Sequence, residues 1–316
     1  MNVPAKPKTL HRDSQSTAMD RDERRSTTPA VLCFGEALWD LQTNAGSTFD
    51  TATHLAMTPG GGAVNVAKHL VSLGVRVALA GSVGADAVGR GLKARVAAMG
   101  IDVSRLLEAK PRTGLVMMTS APMRVVAYRS VKEEANAWRE ALPAAFGATI
   151  FHISGLLPSR SLTTALVAAV KRSRRQGCLV SLDANVRPKL WTTDVLQQVG
   201  LERLFAEVDV LKTSDDDLRV LGFSTPLDLA KKLRADAMLV VTHGAKGATA
   251  IGPFGEIVSA TEALAVENTI GAGDAFVAGL LSVLVQDPSG RDRATARAAI
   301  ERGNKTAAAW LGASVR

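Results

Sequence analysis

Short apolar runs alternate with segments of helical periodicity through most of the chain after residue 30. The apolar runs predict buried strands, and apolar residues that recur every three or four positions predict helices. The predicted strands are 31–36, 75–81, 149–153, 178–183, 208–211 and 237–242. The predicted helices are one that ends at Gly74, then 87–99, 161–176, 194–206, 215–221 and 226–234. This order predicts an α/β fold with a doubly wound, mainly parallel sheet that has helices on both faces.

Two stretches interrupt the alternation. Residues 42–58 are irregular and polar, which predicts loops and short exposed strands. Residues 113–119 and 124–128 predict a hairpin that turns near Pro122. A hairpin at this point indicates a second, smaller sheet outside the main one. A further short hairpin is predicted at 252–255.

Composition limits the domain count and the class of protein. The 316 residues are 47% apolar, enough for one large core, which we assign to residues 30–316. Residues 1–29 are polar and aperiodic, which predicts a disordered tail or translation from an upstream start, with Met19 as another candidate. No apolar run approaches the ~20 residues of a membrane span. No signal-peptide core is visible either, so we expect a cytoplasmic protein.

Cysteine and charge content add little chemistry of their own. Cys33 and Cys178 lie in predicted strands and have no metal-ligand spacing, so we expect reduced core residues. The net charge is +8. Basic residues are spread along the chain and only four Trp and one Tyr are available for stacking, which favours a basic surface that serves anionic substrates over nucleic-acid binding.

The segment Gly271-Ala272-Gly273-Asp274 separates a β-branched run from an apolar, small-residue helix. Glycines permit a tight turn, and the first N–H groups of a helix have no intrahelical partner. Such a turn can bind an anion, and a carboxylate beside it can accept a proton during phosphoryl transfer. Alternatively, Asp274 is an ordinary N-terminal helix residue.

Polar or glycine-rich clusters follow several predicted strands. Because ligands gather beyond the carboxyl ends of parallel strands, we expect these clusters to meet at one edge of the sheet. Each cluster alone has a plain explanation as a turn or as an acidic helix start. The clusters are Asp40, Gly60–Gly62 with Asn65, Asp183–Pro188, Lys212–Asp217 and Thr242–Gly247.

Taken together, these clusters resemble the ribokinase-like sugar kinases of the PfkB carbohydrate kinase family. The resemblance covers about residues 30–313 and depends on two separated signatures in the right order, 59–67 with Gly74 and 271–274. The segments 183–191 and 241–248 also match in order and spacing. The resemblance implies a three-layer αβα fold with a small β-sheet lid, from about 42–58 and 113–131, that excludes water.

The resemblance also implies roles for particular residues. Asp274 matches the catalytic base, and the backbone of Gly271, Ala272 and Gly273 matches the anion hole. The sugar-binding positions are Asp40, Gly61, Gly62 and Asn65. The ATP-binding positions are Lys212, Thr242, Gly244, Gly247 and Asn304. The family uses ATP and Mg²⁺, and a dimer formed through the lids is common in it.

Three departures from the family pattern concern its ions and its nucleotide pocket. The Asn-x-x-Glu that organises Mg²⁺ through water is Ser214 to Asp217 here, so Asp217 and Asn185 are the candidates for a water-mediated Mg²⁺ contact. Asn268 and Ile270 replace a common Asp and Thr, which leaves activation by K⁺ open. The chain also stops soon after Ala313, which predicts a trimmed nucleotide pocket.

The choice of sugar has two candidates within the family. The segments 35–40 and 185–191 are most similar to fructokinases, which favours a free sugar such as fructose. Tyr128, Arg129 and Arg187 can instead bind a carboxylate, as in the similar 2-keto-3-deoxygluconate kinases. A non-catalytic sugar or nucleotide sensor on a kinase fold is the alternative of another class.

Overall fold

The computed structural model describes residues 28–120, 123–143, 147–187, 196, 199–261, 269–288 and 292–313. Its strands are β1 (Val31–Gly35), β2 (Leu38–Thr43), β3 (Leu55–Gly60), β4 (Val77–Gly84), β5 (Asp102–Ala109), β6 (Leu115–Ser120), β7 (Met123–Tyr128), β8 (Ile150–Ser154), β9 (Leu179–Asp183), β10 (Val210–Ser214), β11 (Met238–Thr242), β12 (Ala248–Gly252) and β13 (Gly255–Ser259). Its α-helices are α1 (Gly62–Ser72), α2 (Ala87–Ala97), α3 (Val131–Ala141), α4 (Arg160–Arg175), α5 (Glu202–Phe205), α6 (Asp215–Leu221), α7 (Pro226–Ala230), α8 (Ala272–Leu284) and α9 (Arg293–Ala313). A short 3₁₀ helix, Gly244–Lys246, follows β11.

The main sheet confirms the predicted doubly wound architecture. Its order among the described strands is β13-β12-β11-β10-β9-β8-β1-β4-β5. In this order, each strand from β11 across to β5 is parallel to its neighbour. The pairs β11–β12 and β12–β13 are antiparallel. Side chains alternate between the faces of a strand, so Val31 and Cys33 pack under α1, α8 and α9, while Leu32 and Phe34 pack under α3 and α4. The fold therefore has three layers around two cores.

The small sheet has the order β3-β2-β6-β7, and the hairpin predicted over 113–128 is β6 and β7. It begins at Leu38, earlier than the predicted 42. Leu38 and Trp39 are buried, and the Trp39 indole donates to the carbonyl of Val88 at 3.0 Å. Asp40 therefore lies within β2 of the small sheet, where the sequence analysis had placed it only after the first strand of the main sheet.

The pattern missed β5 and α3, and it extended α7 too far, to 234. Most side chains of β5 are exposed or half-buried, because it is the edge strand, so it lacks the apolar run that marks the central strands. Residues 1–27, the turn at Pro122, and positions 194, 195, 197 and 198 of the predicted helix 194–206 lie outside the described residues. Within the described part of that predicted helix, residues Glu202–Phe205 form α5. In the part of the chain that is described, no helix has the length and apolar character to cross a membrane.

Candidate active site

Four neighbouring strands of the main sheet bring one row of residues to their carboxyl ends. Gly35, Ser154, Asp183 and Lys212 are paired in register across β1, β8, β9 and β10. The Ser154 hydroxyl is buried and has no hydrogen-bond partner among the described residues. The buried carboxylate of Asp183 is paired with the Lys212 ammonium at 3.2 Å. The row thus offers buried polar atoms to a ligand.

The turn before α8 faces this row. Gly271 has φ +80°, a left-handed conformation that favours glycine. The Ala272 N–H donates to the Thr269 carbonyl at 3.2 Å, which removes it from the predicted anion hole. The N–H groups of Gly273 and Asp274 lie in the first turn of α8, where they have no intrahelical acceptor. They give this turn a positive potential.

Lys212 adds a charge under the same turn. Its Nζ lies 3.4 Å from the position that a Cβ on Gly273 would take. Burial lowers the pKa of Lys212, but the carboxylates of Asp183, Asp217 and Asp274 raise it by more. The net shift of the pKa is therefore upward. The ammonium therefore stays charged beside the helix start, where a phosphate is also favoured.

Asp274 lies in the first turn of α8 and is buried. Its Oδ2 accepts a hydrogen bond of 3.0 Å from the side-chain amide of Asn65 in α1. Burial and the negative charge of Asp183 raise the pKa of Asp274 from 3.8 to about 7, although Asn65, Lys212 and Arg187 act in the opposite direction. A carboxylate with this pKa can exchange protons near neutral pH, as a general base must.

Asp40 reaches the site from the small sheet. Burial raises its pKa to about 6, and Lys68 of α1 lowers it. A Cβ on Gly60 would lie 1.9 Å from Asp40 Oδ2, so only glycine leaves room for the carboxylate there. Lys68 also interacts electrostatically with Asp274. The sequence analysis missed Lys68, although it lies three residues after Asn65 and therefore on the same helix face.

Gly62, the first residue of α1, lines a cleft, and Gly61 precedes it in the chain. Gly61 has φ +92°, and a Cβ there would come within 2.5 Å of the Glu36 carbonyl. A Cβ on Gly62 would lie 2.6 Å from Ser154 Oγ. The cleft has a volume of about 330 Å³, including space open to solvent. Its polar lining consists of Glu36, Arg129, Ser154, Asn185 and Arg187.

Arg129 lies at the edge of this cleft, but its guanidinium already has two partners. It forms ion pairs with Glu36 and Glu134, and its side chain is only 10% exposed. The neighbouring Tyr128 is 60% exposed and does not line the cleft. Sequence analysis missed the pairing of Arg129 with Glu36 and Glu134. Glu36 lies 93 residues away in the chain, and the five-residue spacing to Glu134 predicts no contact on its own.

The two residues predicted to contact Mg²⁺ through water already form hydrogen bonds within the protein. Asp217 and Ser214 form a capping box at the start of α6, and Asp217 Oδ1 accepts the Val186 N–H at 2.9 Å. Asn185 has φ +38°, and its Oδ1 accepts a 2.9 Å hydrogen bond from Arg187. No three His, Cys, Asp or Glu side chains among the described residues cluster as a metal site. A direct, all-protein metal site is therefore not formed by these residues.

The predicted nucleotide residues lie beyond β11. Thr242 ends that strand, and Gly244 and Gly247 adopt φ of +57° and +95° in the loop after it. The Asn304 amide of α9 donates to the Ser259 carbonyl at 3.0 Å. The amide donor of Asn304 is thus used to fix the end of β13. The sequence analysis had placed Asn304 among the ATP-binding positions. The predicted segment 188–191 and Asn268 lie outside the described residues.

Comparison with known proteins agrees with this architecture. The pfkB family carbohydrate kinase model matches residues 28–314. Probable fructokinase-5 of Arabidopsis thaliana is 30% identical over 280 residues, which is 84% of this chain and 85% of that protein. The crystal structure of Vibrio cholerae O395 fructokinase with fructose, ADP and calcium is 25% identical with a TM-score of 0.74, and the match covers 89% of this chain and 92% of that one. A double mutant of the same enzyme, with fructose, ADP and potassium, has a TM-score of 0.74 at 25% identity over 90% of this chain and 93% of that one.

The family model spans the same residues that form the three-layer fold and the row of site residues. The resemblance stated from the sequence is therefore confirmed. The chain belongs to the pfkB family of carbohydrate kinases, and it is a sugar kinase, a phosphotransferase with an alcohol group as acceptor.

Proposed function

We propose that this chain transfers the γ-phosphate of ATP to a primary hydroxyl of a free, neutral sugar, with fructose as the first candidate. The observation that carries the proposal is the Asp274 carboxylate, held by Asn65 at the start of α8 with a pKa of about 7. Relatives that are fructokinases, one of them crystallised with fructose and ADP, support the choice of sugar.

In this mechanism Asp274 takes the proton of the attacking hydroxyl while the oxygen–phosphorus bond forms and the bond to ADP breaks. Asn65 orients the carboxylate through its 3.0 Å hydrogen bond. The N–H groups of Gly273 and Asp274 and the Lys212 ammonium stabilise the negative charge on the transferred phosphoryl oxygens. These groups are fixed before the substrate arrives, so they need no rearrangement during the reaction.

The residues of the site fit a Mg²⁺ ion that is held mainly by phosphate and water. Mg²⁺ keeps several waters and usually takes one or two carboxylates from the protein. The Asp183 carboxylate, paired with Lys212 at 3.2 Å, lies at the same strand ends, and we assign Asp217 and Asn185 to the surrounding waters. When bound, Mg²⁺ neutralises charge on the phosphates. We assign the remaining ATP contacts to Thr242, Gly244, Gly247 and Asn304.

We assign sugar hydroxyls to the cleft between the two sheets. Asp40 and Asn65 supply a carboxylate and an amide for vicinal hydroxyls, and Gly61 and Gly62 permit close approach. Arg187 interacts electrostatically with both Asp40 and Asp274, as Lys68 does, which makes these two residues the cations of this subsite.

The ion pairs of Arg129 favour a neutral sugar over a keto acid. Its guanidinium is already engaged by Glu36 and Glu134, so a substrate carboxylate would have to displace one of them. A carboxylate would also meet Glu36 in the lining of the cleft. Arg187 remains as the specific observation in favour of 2-keto-3-deoxygluconate as the second candidate.

The test is coupled ADP release by the purified protein with ATP and Mg²⁺, across fructose, 2-keto-3-deoxygluconate, ribose, glucose and a nucleoside. We expect turnover on fructose. Turnover on the keto acid alone would keep the mechanism and reverse the sugar assignment. Sugar-induced thermal stabilisation without ADP release would indicate the sensor instead.

We also propose a homodimer formed through the small sheet. The edge strands of that sheet expose large apolar side chains, an arrangement typical of a surface that binds another protein chain. These are Leu55, Met57, Met123, Val125 and Val126.

A further inference from the structure

Trp310, in the last turn of α9, is bonded to the turn that starts α8. Its indole N–H donates to the carbonyl of Ile270 at 2.9 Å. The indole ring also packs edge-on against His69 of α1, with ring centroids 4.8 Å apart. One side chain therefore connects three elements of the site, including the helix that carries Asn65.

The indole lies directly behind Gly271. A Cβ on Gly271 would come within 3.1 Å of Trp310 Nε1. Because Ile270 precedes Gly271, the hydrogen bond fixes the peptide from which the anion-binding turn begins. The position of Trp310 thus determines where the following N–H groups lie.

The family resemblance raises the question of a monovalent cation at Asn268 and Ile270, and the residues present do not fit one. The sequence has the neutral Asn268 in place of a carboxylate. The Ile270 carbonyl, an oxygen ligand that a cation would use, already accepts the Trp310 N–H. Burial and the Lys68 ammonium lower the pKa of His69 to about 4, so the ring beside the indole is neutral.

We propose that Trp310 is a positioning residue whose indole N–H holds the Ile270 carbonyl, so that the anion-binding turn keeps its shape without K⁺. This inference rests on the proposed kinase activity. A hydrogen-bond donor from the protein supplies the partial positive charge at this carbonyl, and it is always present.

The first test measures turnover at equal ionic strength in the chlorides of potassium, sodium and tetramethylammonium. We expect wild-type kcat to agree within about twofold among the three salts. Activation of the wild type by K⁺ of about tenfold or more would overturn the proposal.

Trp310→Phe keeps an aromatic ring and removes the N–H. We expect its kcat to fall about fivefold, as for loss of one hydrogen bond, with the KM for the sugar unchanged.

The second test does not need turnover. We expect calorimetry to give the wild type one affinity for a non-hydrolysable ATP analogue in all three salts, and Trp310→Phe a weaker affinity. Trp39→Phe is the matched control, because it loses an equivalent indole hydrogen bond, to the Val88 carbonyl at 3.0 Å, away from the turn. We expect that variant to keep the wild-type affinity.

If wild-type protein phosphorylates no sugar, the proposed function fails. The affinities for the ATP analogue still test whether Trp310 positions the anion-binding turn. Equal affinities in Trp310→Phe and wild type would overturn the proposal.

Discussion

Asp274 meets two requirements that oppose each other. It must be buried to act beside the phosphate, and it must be ionised to accept a proton. Burial and the charge of Asp183 raise its pKa, while Asn65, Lys212 and Arg187 limit the rise to about 7. The residue type and its place after Gly-Ala-Gly could be predicted from the sequence. The balance of groups that raise and lower the pKa of Asp274 could not be predicted, because Asn65 lies 209 residues away in the chain.

The pH dependence follows from this pKa. The ionised form is the base, so we expect kcat/KM for the sugar to rise with pH through about 7 and to level off above it. The measurement is the initial rate at low sugar concentration between pH 5.5 and 9. A rate that falls with pH across this range would contradict the assignment.

Asp274→Asn should reduce activity and increase stability. We expect turnover to fall by about 10³-fold, within the range for loss of a general base. The folded state raises the pKa of Asp274, so the stability linked to its protonation is present at low pH and lost as pH rises through about 7. The variant should therefore gain more in Tm at pH 8 than at pH 5, relative to wild type. Equal gains at both pH values would argue against a raised pKa.

Gly62→Ala tests the close approach at the cleft. The new methyl group would lie 2.6 Å from Ser154 Oγ, so we expect the KM for the sugar to rise about tenfold. Ser154→Ala removes the clashing oxygen, and the double variant should recover part of the loss. Strictly additive effects in this double-mutant cycle would show that the two side chains do not interact.

At the scale of elements, the ion pairs of Arg129 connect the two sheets. Glu36 lies in the short link from β1 to β2, Arg129 in the link from β7 to α3, and Glu134 in α3 itself. The network therefore joins two of the four crossings of the chain between the main and small sheets, the first, from β1 to β2, and the last, from β7 through α3 to β8. Sequence analysis had offered Arg129 for substrate binding. Glu36 lies 93 residues from Arg129, and the five-residue spacing to Glu134 runs from a link into a helix, so the sequence gives no sign of the network.

Removal of Arg129 should be costly. Arg129→Met leaves two carboxylates unpaired at positions that are 17% and 13% exposed, so we expect a loss of about 3 kcal/mol in the free energy of unfolding. Urea denaturation measures it. Arg219→Met is the control, because the Arg219–Asp216 pair is 75% and 78% exposed and should contribute nothing measurable. Equal stability of both variants would contradict a structural role for the Arg129 network.

For the whole molecule, the alternation of strands and helices was enough to predict the three layers. Central strands are buried on both faces and read as apolar runs, whereas the edge strand β5 has polar residues at four of its eight positions and was missed. The predicted convergence of site residues at the strand ends holds for Asp183 and Lys212. Asp40 reaches the same place from the small sheet, which periodicity alone could not indicate.

The small sheet gives a prediction about assembly. Val125 is 47% exposed on the edge strand β7, so Val125→Lys should dissociate a dimer formed through this sheet. Light scattering coupled to size exclusion measures the mass. Leu227→Lys is the control, because Leu227 is 56% exposed on α7, outside the small sheet. A wild-type monomer, or a Val125→Lys dimer, would exclude this interface.

The hydrogen bond between Asn65 and Asp274 has a consequence during synthesis. A nascent chain acquires most of the groups that we assign to the sugar long before the ribosome adds the residue that we assign as the base. Until α8 packs against α1, such a chain lacks the carboxylate that we assign as the base, so it cannot yet transfer a phosphate to a sugar.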